Sequence, residues 1–95
     1  MHRGELWTVA GGVYATKPRP ALVLQDDHFD ATDSLTVLPL TTTDVNAPLL
    51  RIPVPPNDTS GLAQISFIMV DKATTVRRSN VRQLVGHLSS QQMTQ

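Results

Sequence analysis

The sequence predicts a mainly β protein of the α+β class: a small closed or half-open β-barrel with short helices. Three observations predict it. Apolar residues come in short runs, too short for packed helices, set between clusters of Gly, Pro, Asn and Asp. Only four residues are aromatic and 40% are hydrophobic, so the core is small and aliphatic, or is completed by a partner chain. The length of 95 residues allows one domain, expected over 1–95, near the lower end of sizes that fold on a single core.

Each element follows from its own stretch. "ELWTVA" (5–10) has strand composition and starts after Gly4. "GGVYATKP" (11–18) reads as a loop entered through Gly11-Gly12. "ALVLQ" (21–25) is a short apolar run, the pattern of a strand buried on both faces. "DDHFDATDS" (26–34) is a polar connection with room for one helical turn. "LTVLPLT" (35–41) is a third strand whose end Pro39 turns into an edge or a bend.

Beyond residue 48, "LLRIPVP" alternates, with Leu50, Ile52 and Val54 on one face and Arg51 and Pro53 on the other. "PPNDTSG" (55–61) is a turn, "AQISFIMVD" (63–71) has the strongest strand composition in the chain, and "ATTVR" (73–77) follows as another strand. Ser89-x-x-Gln92 is a capping box, which announces a helix, yet only Met93 to Gln95 follow it. The expected C-terminal helix is therefore truncated at its first turn.

Charge and composition exclude several function classes. There is no cysteine, hence neither a disulfide framework nor a thiolate metal site, and His2, His28 and His87 lack the short spacing of metal ligands. The charged start "MHRGELW" is no secretory signal, and no apolar run approaches a membrane span, so a bacterial cytoplasmic location is expected. Net charge is zero, but Asp26, Asp27, Asp30, Asp33 and Asp44 fall in a stretch without Lys or Arg. Lys17 and Arg19 precede that stretch, and Arg51, Lys72, Arg77, Arg78 and Arg82 follow it. A general nucleic-acid binder would be plainly basic; here, any nucleic acid is met through a few local contacts.

The polar inventory holds no G-x-S-x-G elbow, no Walker-type glycine loop and no H-E-x-x-H. It leaves three candidates. Arg19 stands between Pro18 and Pro20, whose fixed φ stiffens the segment and suits a guanidinium that grips a phosphate. Thr41, Thr42 and Thr43 end the third strand before Asp44, and Asp71 ends the fifth apolar run. An arginine, a hydroxyl and a carboxylate on one rim make a phosphodiester site; equally, threonines at a strand end are ordinary β propensity and Asp71 an ordinary turn residue.

The order "RGELW", "GGVYATKPRPALVLQDD", "LPLTTTD" and "SFIMVDKATTVRRSNVRQLVGHLSSQQM" resembles the MazF/PemK family of toxin ribonucleases, from Arg3 to about Met93. The most specific pieces are "RGELW", the "RP" ahead of an apolar run, P-x-T in the third strand, and Gly86-x-Leu88 ahead of a helix start. The resemblance implies an SH3-like β-barrel of the CcdB/MazF/PemK kind and a homodimer. It implies metal-independent cleavage of single-stranded RNA with no cofactor, and inhibition by a cognate MazE-like antitoxin. It also implies that Arg19 and Thr41 are catalytic and that Asp71 lies beside the scissile phosphate or a base, as proton acceptor or RNA contact. Lys17, Thr42 and Tyr14 are then substrate contacts, Tyr14 by stacking on a base.

Two departures bear on function. Val13 and Tyr14 stand where many members carry an acidic residue in the loop before the arginine, so no general base comes from that loop. The C-terminal helix is short. Two other readings follow: a gyrase poison of the CcdB type, or a homologue that occupies the antitoxin without cutting RNA. Against the gyrase reading, the only tryptophan is Trp7, far from the C-terminal Trp-Gly-Ile-type motif such poisons use.

Overall fold

The computed structural model describes residues 2–11, 15–24, 34–43 and 51–93, with the side chains at 11 and 15–17 outside that description. Seven strands are described: β1 (Glu5–Gly11), β2 (Ala15–Val23), β3 (Ser34–Thr41), β4 (Arg51–Val54), β5 (Ser66–Met69), β6 (Thr74–Arg77) and β7 (Val81–His87). Short 3₁₀ turns cover Val70–Lys72 and Arg78–Asn80, and α1 is Ser90–Met93. The strands hydrogen-bond in the order β4-β5-β3-β2-β1-β7, and β6 also pairs with β3.

β3 is the shared element. Its first half, Ser34 to Val37, pairs with β6, and its end, Leu40 and Thr41, pairs with β5. The partner strand changes around Pro39, which has no N–H to give a ladder, while β3 itself runs on unbroken to Thr41. Side chains alternate across this sheet and feed two cores. Leu6, Leu22, Leu38, Leu40, Val54, Ile68 and Leu88 are buried together on one side. Val9, Ala21, Val23, Leu35, Val37 and Val76 are buried on the other. The central strands are thus covered on both faces, which is why "ALV" reads as a continuous apolar run.

The sheet is not closed by strand pairing, since β4 and β7 end the order. The turn after β4 spans that gap. His87 N–H donates to the Thr59 carbonyl at 2.9 Å, and Gly61 N–H donates to Asn57 at 2.9 Å. A Cβ on Gly86 would collide with the Ser60 and Thr59 carbonyls, and one on Gly61 with the Val85 carbonyl. Gly61 also has φ +68°, a left-handed value that L side chains rarely adopt. Buried Ser60 ties the turn internally: its N–H donates to Asn57 Oδ1 at 2.8 Å and its hydroxyl to the Pro55 carbonyl at 3.0 Å.

The N-terminal signature is a clasp. Gly4, at φ +93°, donates to the Val23 carbonyl and accepts from Leu88 N–H, both at 2.9 Å. Arg3 Nη1 donates to the Leu24 carbonyl at 2.8 Å, and Glu5 Oε1 accepts from His2 N–H at 2.6 Å and Trp7 Nε1 at 3.1 Å. The Glu5 carboxyl is held below its ordinary pKa: partial burial raises it, but the His2 and Trp7 hydrogen bonds and nearby positive charge outweigh that.

Three expectations need correction. Ala15 to Pro18 is not loop but the start of β2, whose other edge has no strand partner there among the described residues, β3 pairing Ala21 to Val23; prolines are tolerated on such an edge. The strongest strand composition, 63–71, yields only Ser66–Met69, because the chain turns at Val70–Lys72 to bring β6 onto β3. β7 carries no strand expectation at all: its sides do not alternate, and Leu84 is 55% exposed. The capping box is formed as expected: Ser89 N–H donates to Gln92 Oε1 at 2.8 Å, and Gln92 N–H donates to Ser89 Oγ at 3.1 Å.

Candidate active site

Arg19 sits in the unpaired-edge half of β2, opposite Val9 of β1. Pro18 and Pro20 fix its flanking φ angles, and its exposed guanidinium has no ion pair or hydrogen bond among the described residues. On β3, Val23↔Val37, Leu22↔Leu38 and Ala21↔Pro39 are partners, and the ladder stops there. Continuing that register by one side-chain repeat sets Arg19 opposite Thr41. Parity agrees: Leu22 and Leu40 point into the first core, so Arg19 and Thr41 both belong to the opposite face. The ladder ends where Pro18, Pro20 and Pro39 cannot donate, which leaves the two side chains at an open junction.

Thr41 is half-buried, and its Oγ1 accepts a hydrogen bond from Thr43 N–H at 3.2 Å. A hydroxyl that already accepts one bond still has its proton to give. Thr41 is therefore left able to donate. Thr42 follows, exposed, outside the strand.

Asp71 lies elsewhere. It is in the 3₁₀ turn after β5, where Arg51 Nη1 forms an ion pair with Oδ1 and Lys72 Nζ is 4.0 Å from Oδ2. Thr41 is level with Phe67. Asp71 is four residues further along, past the end of β5 and in the turn that follows it, and it already has cationic partners. Lys17 is on β2, with its side chain outside the description; Tyr14, and with it Val13, lies outside the described residues.

The register also brings in a residue that the sequence reading left unassigned. Phe67 pairs with Thr41 on one side and with Pro53 of β4 on the other, so Thr41, Phe67 and Pro53 form one row across three strands, to which the β2–β3 register, continued past its last pair, adds Arg19. Its neighbour Ile68 points into the first core, which turns Phe67 to the face of Thr41. No signal for it stands in the sequence, since "FIM" is uniformly apolar, and the face Phe67 shares with Thr41 depends on β3–β5 register, which no local pattern encodes. Among the described residues no group of three His, Asp or Glu is gathered for a metal.

The described strands form an open sheet that carries an exposed arginine and a hydrogen-bonded threonine on one face. Residues 2–95 match the model of the PemK-like, MazF-like toxins of type II toxin–antitoxin systems, and the chain belongs to that family. It is 51% identical over 94 residues, 98% of this chain and 86% of the other, to the probable endoribonuclease MazF of Mycolicibacterium smegmatis. Its fold is similar to that of Mycobacterium tuberculosis toxin MazF-mt6, with TM-score 0.80 and 25% identity over 97% of this chain and 86% of that one. It also superposes on a mycobacterial endoribonuclease solved in complex with its cognate antitoxin, with TM-score 0.80 and 19% identity over 99% of this chain and 84% of that one.

Proposed function

We propose that residues 1–95 form one toxin domain that acts as a sequence-specific endoribonuclease on single-stranded RNA. The observation that carries the proposal is the face shared by Arg19 and Thr41 at the end of the β2–β3 ladder. The ribose 2′-oxygen attacks its own phosphorus, the bond to the 5′-oxygen breaks, and the products are a 2′,3′-cyclic phosphate and a 5′-hydroxyl. One proton passes from the 2′-hydroxyl to Asp71 or to solvent water, and solvent water supplies one to the departing 5′-oxygen. DNA lacks the attacking group and is spared.

Arg19 stabilises the negative charge that builds on the phosphoryl oxygens, since a guanidinium is too weak an acid to move protons at neutral pH. Thr41 donates its hydroxyl proton into a hydrogen bond to the same phosphate and fixes it for in-line attack. Asp71, ion-paired with Arg51, is an RNA contact or the acceptor of the 2′-hydroxyl proton. Lys17, Thr42 and Tyr14 contact the RNA flanking the scissile bond.

The active unit is a homodimer in the bacterial cytoplasm, silenced by a MazE-like antitoxin. Ile65, Val70 and Leu84, all exposed and apolar, support burial against another chain. No helix among the described residues is long and apolar enough to cross a membrane. The test is cleavage of a long single-stranded RNA in EDTA with end-group analysis. Discrete cuts ending in 2′,3′-cyclic phosphate are expected; a folded protein that binds antitoxin and leaves RNA intact overturns the proposal.

A further inference from the structure

Phe67 is the aromatic side chain that the row described above sets next to the reaction. It is half-buried, yet it belongs to neither hydrophobic cluster, whereas Ile68 beside it is buried in the first. An aromatic ring outside both cores of the described residues, on the face of a hydroxyl, suits a planar apolar partner. Neighbouring strands are about 4.8 Å apart, so the ring stands one strand from Thr41 and two from Arg19. That is the reach from a phosphate to the base of its own nucleotide.

We propose that Phe67 is the stacking platform for the base beside the scissile phosphate, so that Arg19, Thr41 and Phe67 hold one nucleotide by its phosphate at one end and its base at the other. Pro53, exposed on β4 and paired with Phe67, is the outer wall of that base site. Stacking tolerates any base, so Phe67 supplies affinity and alignment, and edge contacts from other residues choose the base. The inference rests on the endoribonuclease reading.

The probe is a short RNA containing a mapped cleavage site, with a 2′-deoxy sugar at the scissile nucleotide to block attack and 2-aminopurine as the neighbouring base. Wild type is expected to quench the 2-aminopurine on binding. Phe67→Ala should lose the quench, bind about tenfold to a hundredfold more weakly and lower kcat/KM on the cleavable RNA in proportion, with Phe67→Tyr restoring all three. Phe67→Leu, which keeps apolar bulk without a π-face, should not restore the quench. Wild-type quenching and affinity in a folded Phe67→Ala, or a change only in its sedimentation, overturns the stacking role while leaving the nuclease intact. Wild type that neither binds nor cuts RNA overturns the nuclease itself.

Discussion

Arg19 and Thr41 differ in how their contributions should be lost. Arg19→Ala removes charge stabilisation made in the transition state, and kcat should fall about a hundredfold to a thousandfold, by analogy with lost oxyanion donors. Antitoxin affinity should stay within about tenfold; steady-state cleavage and isothermal titration check the two halves. Thr41→Ser keeps the hydroxyl and should keep most of the activity, whereas Thr41→Ala should not. Asp71→Asn separates the roles left open for that carboxylate. With Arg51 as its partner, its loss should cost about 1 kcal/mol of stability by urea titration and less than tenfold in kcat. A hundredfold loss of kcat would make Asp71 the proton acceptor. Arg19 was legible as a candidate because prolines flank it, and Thr41 because hydroxyls cluster at a strand end. The face they share was not, because register between β2 and β3 is set by both cores together and by no local run of residues.

Among the elements, the most exacting contact is made by backbone. Gly86→Ala and Gly61→Ala each force atoms into the carbonyls of the facing segment and should lower stability by about 2 kcal/mol or more, read as a fall in urea midpoint. The motif Gly86-x-Leu88 was visible in the sequence, but its reason, the turn of 59–61 lying on β7, needed the third dimension. β7 itself was missed because three of its residues in succession, Arg82 to Leu84, are exposed and no period shows. The clasp on β1 has a pH signature. Glu5 has a folded pKa below its ordinary value, so its stabilisation is fully present above that ordinary value and is lost as pH falls through the folded one. The difference in melting temperature between wild type and Glu5→Gln should therefore be larger at pH 7 than at pH 3. The last helix, legible from its capping box alone, should lose about 1 kcal/mol with Ser89→Ala.

The whole molecule is electrically neutral, and that limits how it meets RNA. Each neutralised phosphate contributes a slope of about −0.7 to log K against log salt for a single strand. With Arg19 as the described cation of the row, the expected slope is shallow, about −1 to −2. Fluorescence anisotropy between 50 and 200 mM salt tests it, and a slope of about −4 would mean a broad phosphate track. β3 gives the molecule its other collective property. It pairs with β2, β5 and β6 and carries buried side chains into both cores, so neither core survives its removal. Proteases and quality-control machinery that work by tugging on one loose end thus meet a chain that lets go everywhere or nowhere. Limited digestion should therefore yield whole chain and small peptides, with no stable half-sized core between them.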